Sequence, residues 1–267
     1  MKRRIPFITA LLFFAITLHA QDDASESRWQ ANEIVIDGNS NEWPHPFTFF
    51  DNKSGVIFSI SNDSKNMYLC FSNNDKAKAD KMMKAGWSVA LVSTEKKRKF
   101  DAVIDFPKSA DPDVAIRSDF KTAVVHYKDA MTTVKTKGFL LHNGDVPLNN
   151  KDAVNIGIGT DSSSKIVYEI KIPLNELMEE GKAQLNELIT LDITVNELEK
   201  LPGQKPAATT TTDGGFSGGG GGRGGGRMGG GRGRGGSQAS ANGYVSPDRY
   251  SLYDKISFKQ KIKLVSK

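Results

Sequence analysis

The chain of 267 residues has a single cysteine, Cys70, within "MYLCF". One thiol cannot close an intramolecular disulfide, so stability has to come from a packed core. Long apolar runs are equally scarce. The longest lies at the start, from Ile5 to Leu18 of "MKRRIPFITALLFFAITLHAQ". It contains Pro6 and falls short of the roughly 20 apolar residues that a spanning helix needs. Lys2, Arg3 and Arg4 precede it, and Ala20 stands before Gln21. These parts read as an export signal over residues 1–20. No cysteine follows the cleavage point, so no lipid anchor is expected there. The mature chain is expected to be periplasmic or extracellular, with no transmembrane segment.

Catalytic signatures are missing. There is no His-Glu-x-x-His, no Gly-x-Ser-x-Gly and no Cys-x-x-Cys. A Gly-x-Gly-x-x-Gly at Gly220, Gly222 and Gly225 follows no strand and opens no helix, so it reflects composition alone. His45, His126 and His142 lack metal-ligand spacing. Asp101 and Asp105 share one strand face and read as solvated charges rather than calcium ligands, and "DPDVAIRSD" lacks the calcium-loop spacing. Met82 and Met83 read as helix packing rather than haem ligands. The sequence therefore predicts no enzyme, no metal and no cofactor.

Excess charge is missing from the body of the chain as well. Of the formal +5, the leader carries three and residues 202–243 carry four, which leaves −2 elsewhere. Overall basicity thus says little about a partner. Within the tract "GGGGGRGGGRMGGGRGRGG" the missing group is aromatic. Sixteen of the 23 residues from 214 to 236 are glycine, and only Phe216 stands near the four arginines. Four arginines neutralise about four phosphates, which supports only weak, salt-sensitive binding, and base stacking requires interleaved aromatics. Nucleic acid is therefore not the expected partner. So little apolar surface predicts disorder over residues 202–247.

Alternation with period two is abundant. In "ITLDITVNEL" the set Ile189, Leu191, Ile193 and Val195 alternates with Thr190, Asp192, Thr194 and Asn196, the pattern of a strand with one buried face. Similar runs are "EIVID" from 33, "GVIFSIS" from 55, "MYLCFS" from 67, "WSVALV" from 87 and "FDAVIDF" from 100. "TVKTKGFLL" from 133, "AVNIGIG" from 153 and "KIVYEIKI" from 165 complete the set. Asn143-Gly144 suits a tight hairpin turn. Helices read as short and peripheral: "DKAKADKMMKAG" is capped by Asp75 and stopped by Gly86, and "PLNELMEEG" has Pro173 at its start and Gly181 past its end. In "YSLYDKISFKQKIKLVSK" the face Ile256, Phe258, Gln260, Ile262 and Leu264 predicts a closing strand. The fold class is an all-β antiparallel sandwich with short peripheral helices, one domain over 28–267 interrupted by a long Gly/Arg-rich disordered loop before the last strand.

Several segments together resemble the carbohydrate-binding module family 9 group and its relatives of the DOMON-like β-sandwich superfamily. "IVIDGNSNEW" from 34 is similar to that group's first strand, Asp-Gly turn and Glu-Trp pair, and "NMYLCFSNND" from 66 to its strand ending in an acidic turn. "YEIKIPLNEL" from 168 is the closest match, a strand running into Ile-Pro and a short helix. Where the group's third segment carries an aspartate and a glutamate, "GWSVALV" has Trp87 and Ala90. The resemblance spans about residues 33 to 198 and implies a non-catalytic sandwich that binds a carbohydrate or another cell-envelope component. A sugar needs an exposed aromatic platform with polar neighbours, for which Trp29, Trp87 and Tyr127 are the candidates. Core packing is the competing reading of Trp43 and Trp87, since Trp87 shares a strand face with Val89 and Leu91. A second functional class is a scaffold whose Arg-Gly loop contacts an acidic partner.

Overall fold

The computed structural model describes residues 24–93, 99–110, 119–177, 188–199 and 253–266. The leader, the Gly/Arg stretch at 202–247 and most of "DPDVAIRSD" lie outside the described residues. Two sheets make a sandwich. In chain order the strands are β1 (Ser25–Glu26), β2 (Arg28–Trp29), β3 (Phe49–Phe50), β4 (Val56–Asn62), β5 (Asn66–Asn73), β6 (Trp87–Ser93) and β7 (Phe100–Phe106). They continue with β8 (Thr133–Lys137), β9 (Gly144–Pro147), β10 (Asn155–Thr160), β11 (Ile166–Pro173), β12 (Leu188–Val195) and β13 (Ile256–Lys263). One sheet runs β1-β13-β12-β6-β7-β8-β9, the other β10-β11-β5-β4-β2 with β3 also on β4.

The alternating strands behave as their pattern dictates. Ile189, Leu191, Ile193 and Val195 of β12 are all buried against the facing sheet. β13 buries Ile256 and Ile262, Leu264 just past its end is buried too, and β12 pairs with it from Leu188–Lys263 to Val195–Ile256. The two segments that flank the Gly/Arg stretch are therefore hydrogen-bonded neighbours in one sheet. Asp101 and Asp105 are exposed on the outer face of β7, while Met82 and Met83 of helix α1 (Lys76–Ala85) are buried in the core. Asp75 caps that helix through the amides of Ala77 and Lys78, and Gly86, at φ +75°, ends it. Among the described residues no helix is long and apolar enough to cross a membrane.

Four local readings differ. "EIVID" is not a strand, because its amides bond to side chains instead of a neighbouring ladder: Val35 donates to Glu42 and Asp37 to Glu169. Asn143-Gly144 is not a two-residue turn. β8 stops at Lys137, and residues 138–143 form a longer loop in which the Asn143 side chain bonds the backbone N–H and C=O of Phe139. "PLNELMEEG" gives a single 3-10 turn at Leu174–Glu176 among the described residues. A helix that the strand pattern hides is present as α2 (Phe120–Ala130). Its signal is an Asp119 cap before Phe120, Ala123, Val124 and Tyr127, the spacing of one buried helical face.

Residues 30–47 wrap the outer face of the six-stranded sheet. There Ile34 and Trp43 close over Tyr68, Cys70 and Val167 as a second, smaller core.

Candidate functional site

The three aromatic candidates do not meet at a surface. Trp87 is 1% exposed, with its ring stacked on Phe106 at 4.3 Å and edge-on to Tyr168 at 4.9 Å. Tyr127 is 2% exposed, on the buried face of α2, and its hydroxyl donates to the Pro107 carbonyl at 3.2 Å. Both therefore belong to the core. The reason is the inward pleat of β6 for Trp87 and the unforeseen helix for Tyr127. Only Trp29 is partly open to solvent, and it stands on β2, at the opposite edge of its sheet from β10. These positions correct the expectation of a shared stacking platform.

A cleft of 390 Å³ opens beside β10 instead. That lies within the usual range of about 300–1,000 Å³ for small-molecule sites. Its floor is apolar, with Met131, Ile156 and Ile158 buried and Ile36 and Leu148 half-buried. Its rim carries Asp37, Lys128, Asp129, Thr132 and Asn149, all exposed. Such a surface accepts a ligand with one apolar face and an edge of hydrogen-bonding groups.

Each wall is fixed by identifiable contacts. On one side the Asp37–Gly38 turn lies on the outer face of β10, which is glycine at 157 and 159 because backbone occupies the space. A Cβ on Gly157 would stand 2.6 Å from the Gly38 nitrogen, and one on Gly159 2.4 Å from the Gly38 oxygen. Glu169 of β11, paired with Gly157 across the ladder, holds the turn. Its Oε2 accepts from the amides of Asp37 at 3.0 Å, Gly38 at 2.7 Å and Asn39 at 3.3 Å. Its Oε1 accepts from the Trp43 indole at 2.6 Å. Successive amides converging on one carboxylate form an anion nest. Burial nevertheless dominates, and it holds the Glu169 pKa above the usual carboxylate value against the pull of Trp43 and these amides. The sequence shows this clamp in retrospect: "IVIDGNSNEW" supplies the turn and the tryptophan, and "YEIKIP" supplies the glutamate.

The other wall is the end of α2. Met131 donates to the carbonyls of Tyr127 and Lys128, Leu148 donates to Thr132, and Ile156 donates to Leu148 at 2.8 Å. This chain of bonds ties the helix end to the β9–β10 connection and to the strand edge. Lys128 and Asp129 line this wall with exposed side chains.

A second buried carboxylate, Glu176, organises the 138–143 loop. It accepts from the amides of Leu141 and His142, each at 3.2 Å, and pairs with His142 Nδ1. Leu140 and Leu141 at that loop's tip are 50% and 65% exposed. Sequence spacing alone did not single out either buried glutamate. His45 contacts the Ser40 carbonyl at 2.9 Å. Among the described residues no group of three or more His, Cys, Asp or Glu side chains is placed to hold a metal ion.

No family model matches the chain, and no curated protein matches it. Among solved structures it is similar to a carbohydrate-binding module of family 9 from Caldicellulosiruptor kristjanssonii in complex with glucose, at 11% identity and a TM-score of 0.31, over 66% of this chain and 78% of that one. The complex of such a module from the same organism with cellotriose matches at 10% identity and a TM-score of 0.32, over 66% and 77% of the two chains.

Proposed function

We propose that the protein is an exported, non-catalytic binding module whose ligand is a glycan or another component of the cell envelope. The observation that carries this reading is the cleft beside β10, where an apolar floor is framed by carboxylates, an ammonium and an amide side chain. A saccharide has the matching make-up, C–H faces bordered by hydroxyls. The leader supports export. Among the described residues no stacking aromatic lines the cleft, so recognition here rests on hydrogen bonds and on shape. A glycan array followed by calorimetry tests the reading: saturable binding that Asp129→Ala weakens is the expected result, and the absence of binding to every glycan would overturn it.

A second reading makes the sandwich a scaffold that presents the Arg-Gly stretch to an acidic partner. It draws on the pairing of Val195 with Ile256, which anchors both ends of that stretch on adjacent strands. Deleting residues 203–243 separates the two readings. The first expects ligand binding to persist, and the second expects partner binding to be lost from a folded protein.

A further inference from the structure

Among the described residues, the floor of the cleft holds a backbone donor without an acceptor. Among the described strands β10 pairs only with β11, and its other edge carries a single bridge, Asn155 with Asn149, at its start. Along an antiparallel edge, alternate residues direct their N–H and C=O toward the neighbour and away from it. Ile156 donates to Leu148, away from β11, and Asp161 donates to Lys165 across the β10–β11 turn. Even-numbered residues of β10 therefore face the cleft side, and Ile158 is one of them. Ile158 is 2% exposed, it lines the cleft, and its N–H has no partner among the described residues. Buried amides without a partner are rare, because each forfeits a hydrogen bond to water. The Ile158 carbonyl is less accessible, since Gly38 lies so close that a Cβ there would stand 2.6 Å from its oxygen.

We propose that this amide recognises the acetamido group of an N-acetylated amino sugar. The inference rests on the reading of the cleft as a glycan site and names the class of glycan. The acetamido carbonyl accepts from Ile158 N–H, and its methyl lies against Met131, Leu148 and Ile156. The ring hydroxyls donate to Asp37 and Asp129, and Lys128 donates to a ring oxygen. Strand addition by an extended peptide fits less well. It needs a run of free edge groups, but Ile156 N–H is already bonded to Leu148 and Gly38 crowds the Ile158 carbonyl. A plain hydroxyl in place of the acetamido group could also accept from Ile158 N–H but would leave the apolar floor beside it unfilled.

The experiment is calorimetry and amide NMR on the purified protein with triacetylchitotriose and, separately, cellotriose. Placing or omitting one small apolar group changes affinity by about 10- to 200-fold, so triacetylchitotriose should bind at least about tenfold more tightly. The Ile158 amide resonance should shift, and its hydrogen exchange should slow. Thr132→Trp, at an exposed rim position, should abolish binding without lowering the melting temperature. Equal affinity for the two trisaccharides, or binding that leaves the Ile158 amide unshifted and survives Thr132→Trp, would overturn the acetamido assignment. So would failure of both to bind while another glycan on the array does; in all these cases the glycan reading stands. Silence across the whole array overturns both.

Discussion

The outer faces of the two sheets are built differently. On the six-stranded sheet, Tyr68, Cys70, Val167 and Glu169 lie beneath residues 30–47 and are fully buried. On the seven-stranded sheet, Ser88, Ala90, Val92, Thr190 and Thr194 remain half-exposed, bordered by Asp101, Asp105 and a Lys259–Asp192 pair at 3.1 Å. A strand with one solvated face alternates, as β6 and β12 do. One covered on both faces is nearly continuous in its burial, as β5 and β11 are. The cover does more than exclude water, because the same segment carries Asp37 to the rim of the cleft. Glu169 thus acts as a positioning residue for the site.

The largest expected effect is at Trp43. Trp43→Ala should cost about 3–5 kcal/mol, the usual range for removing a buried tryptophan, measured by denaturant unfolding. Glu169→Ala should follow at about 1–3 kcal/mol for stranding buried donors, and it should also weaken ligand binding through Asp37. Glu169→Gln retains acceptor capacity and should lie between wild type and alanine in both measurements.

Cys70 reports on the same cover. Burial, with Glu169 nearby, pushes its thiol pKa well up, so in the native protein a thiol reagent should modify it only as fast as the cover opens. Trp43→Ala should raise that rate by at least about tenfold, given the 1.4 kcal/mol per decade that links opening to stability. Rapid modification of wild type would break the distinction between the faces. On the bare face, Thr194→Val should change stability by no more than about 0.5 kcal/mol. A larger loss would show that this face too is packed against something.

The smallest effect is the pH dependence through Glu169. A carboxylate whose folded pKa is raised contributes stability that is fully present below its unfolded value of 4.5 and is lost as pH rises through the higher folded value. The difference in stability between wild type and Glu169→Gln should therefore shift in favour of wild type on acidification across that window. A flat difference would show that the nest amides and Trp43 fully offset the burial.

Much of this was legible in the sequence. The inward set of β12, the cap and stop of α1 and the inward residues of β13 follow from spacing alone, because a pleat or a helical turn needs only near neighbours to be read. "EIVID" failed as a strand because its partners are Glu42 and Glu169, and the second lies 132 residues from Asp37. α2 is hard to see in the sequence because "TAVVHY" is rich in β-branched residues, although Asp119 and the i, i+3, i+4, i+7 set mark a helix. The same composition conceals that Tyr127 lies on the buried face of that helix.

The candidate site was the least legible part. No local motif brings Asp37, Asp129 and Ile158 together, and an unpaired strand-edge amide leaves no trace in residue type. Alternation, caps and composition settled that this chain makes a two-sheet β structure with small helices, since those signals are carried by residues a few positions apart. Which sheet face is covered, which glutamates are buried and where a cleft opens were decided only by tertiary structure, because each depends on contacts between segments far apart along the chain.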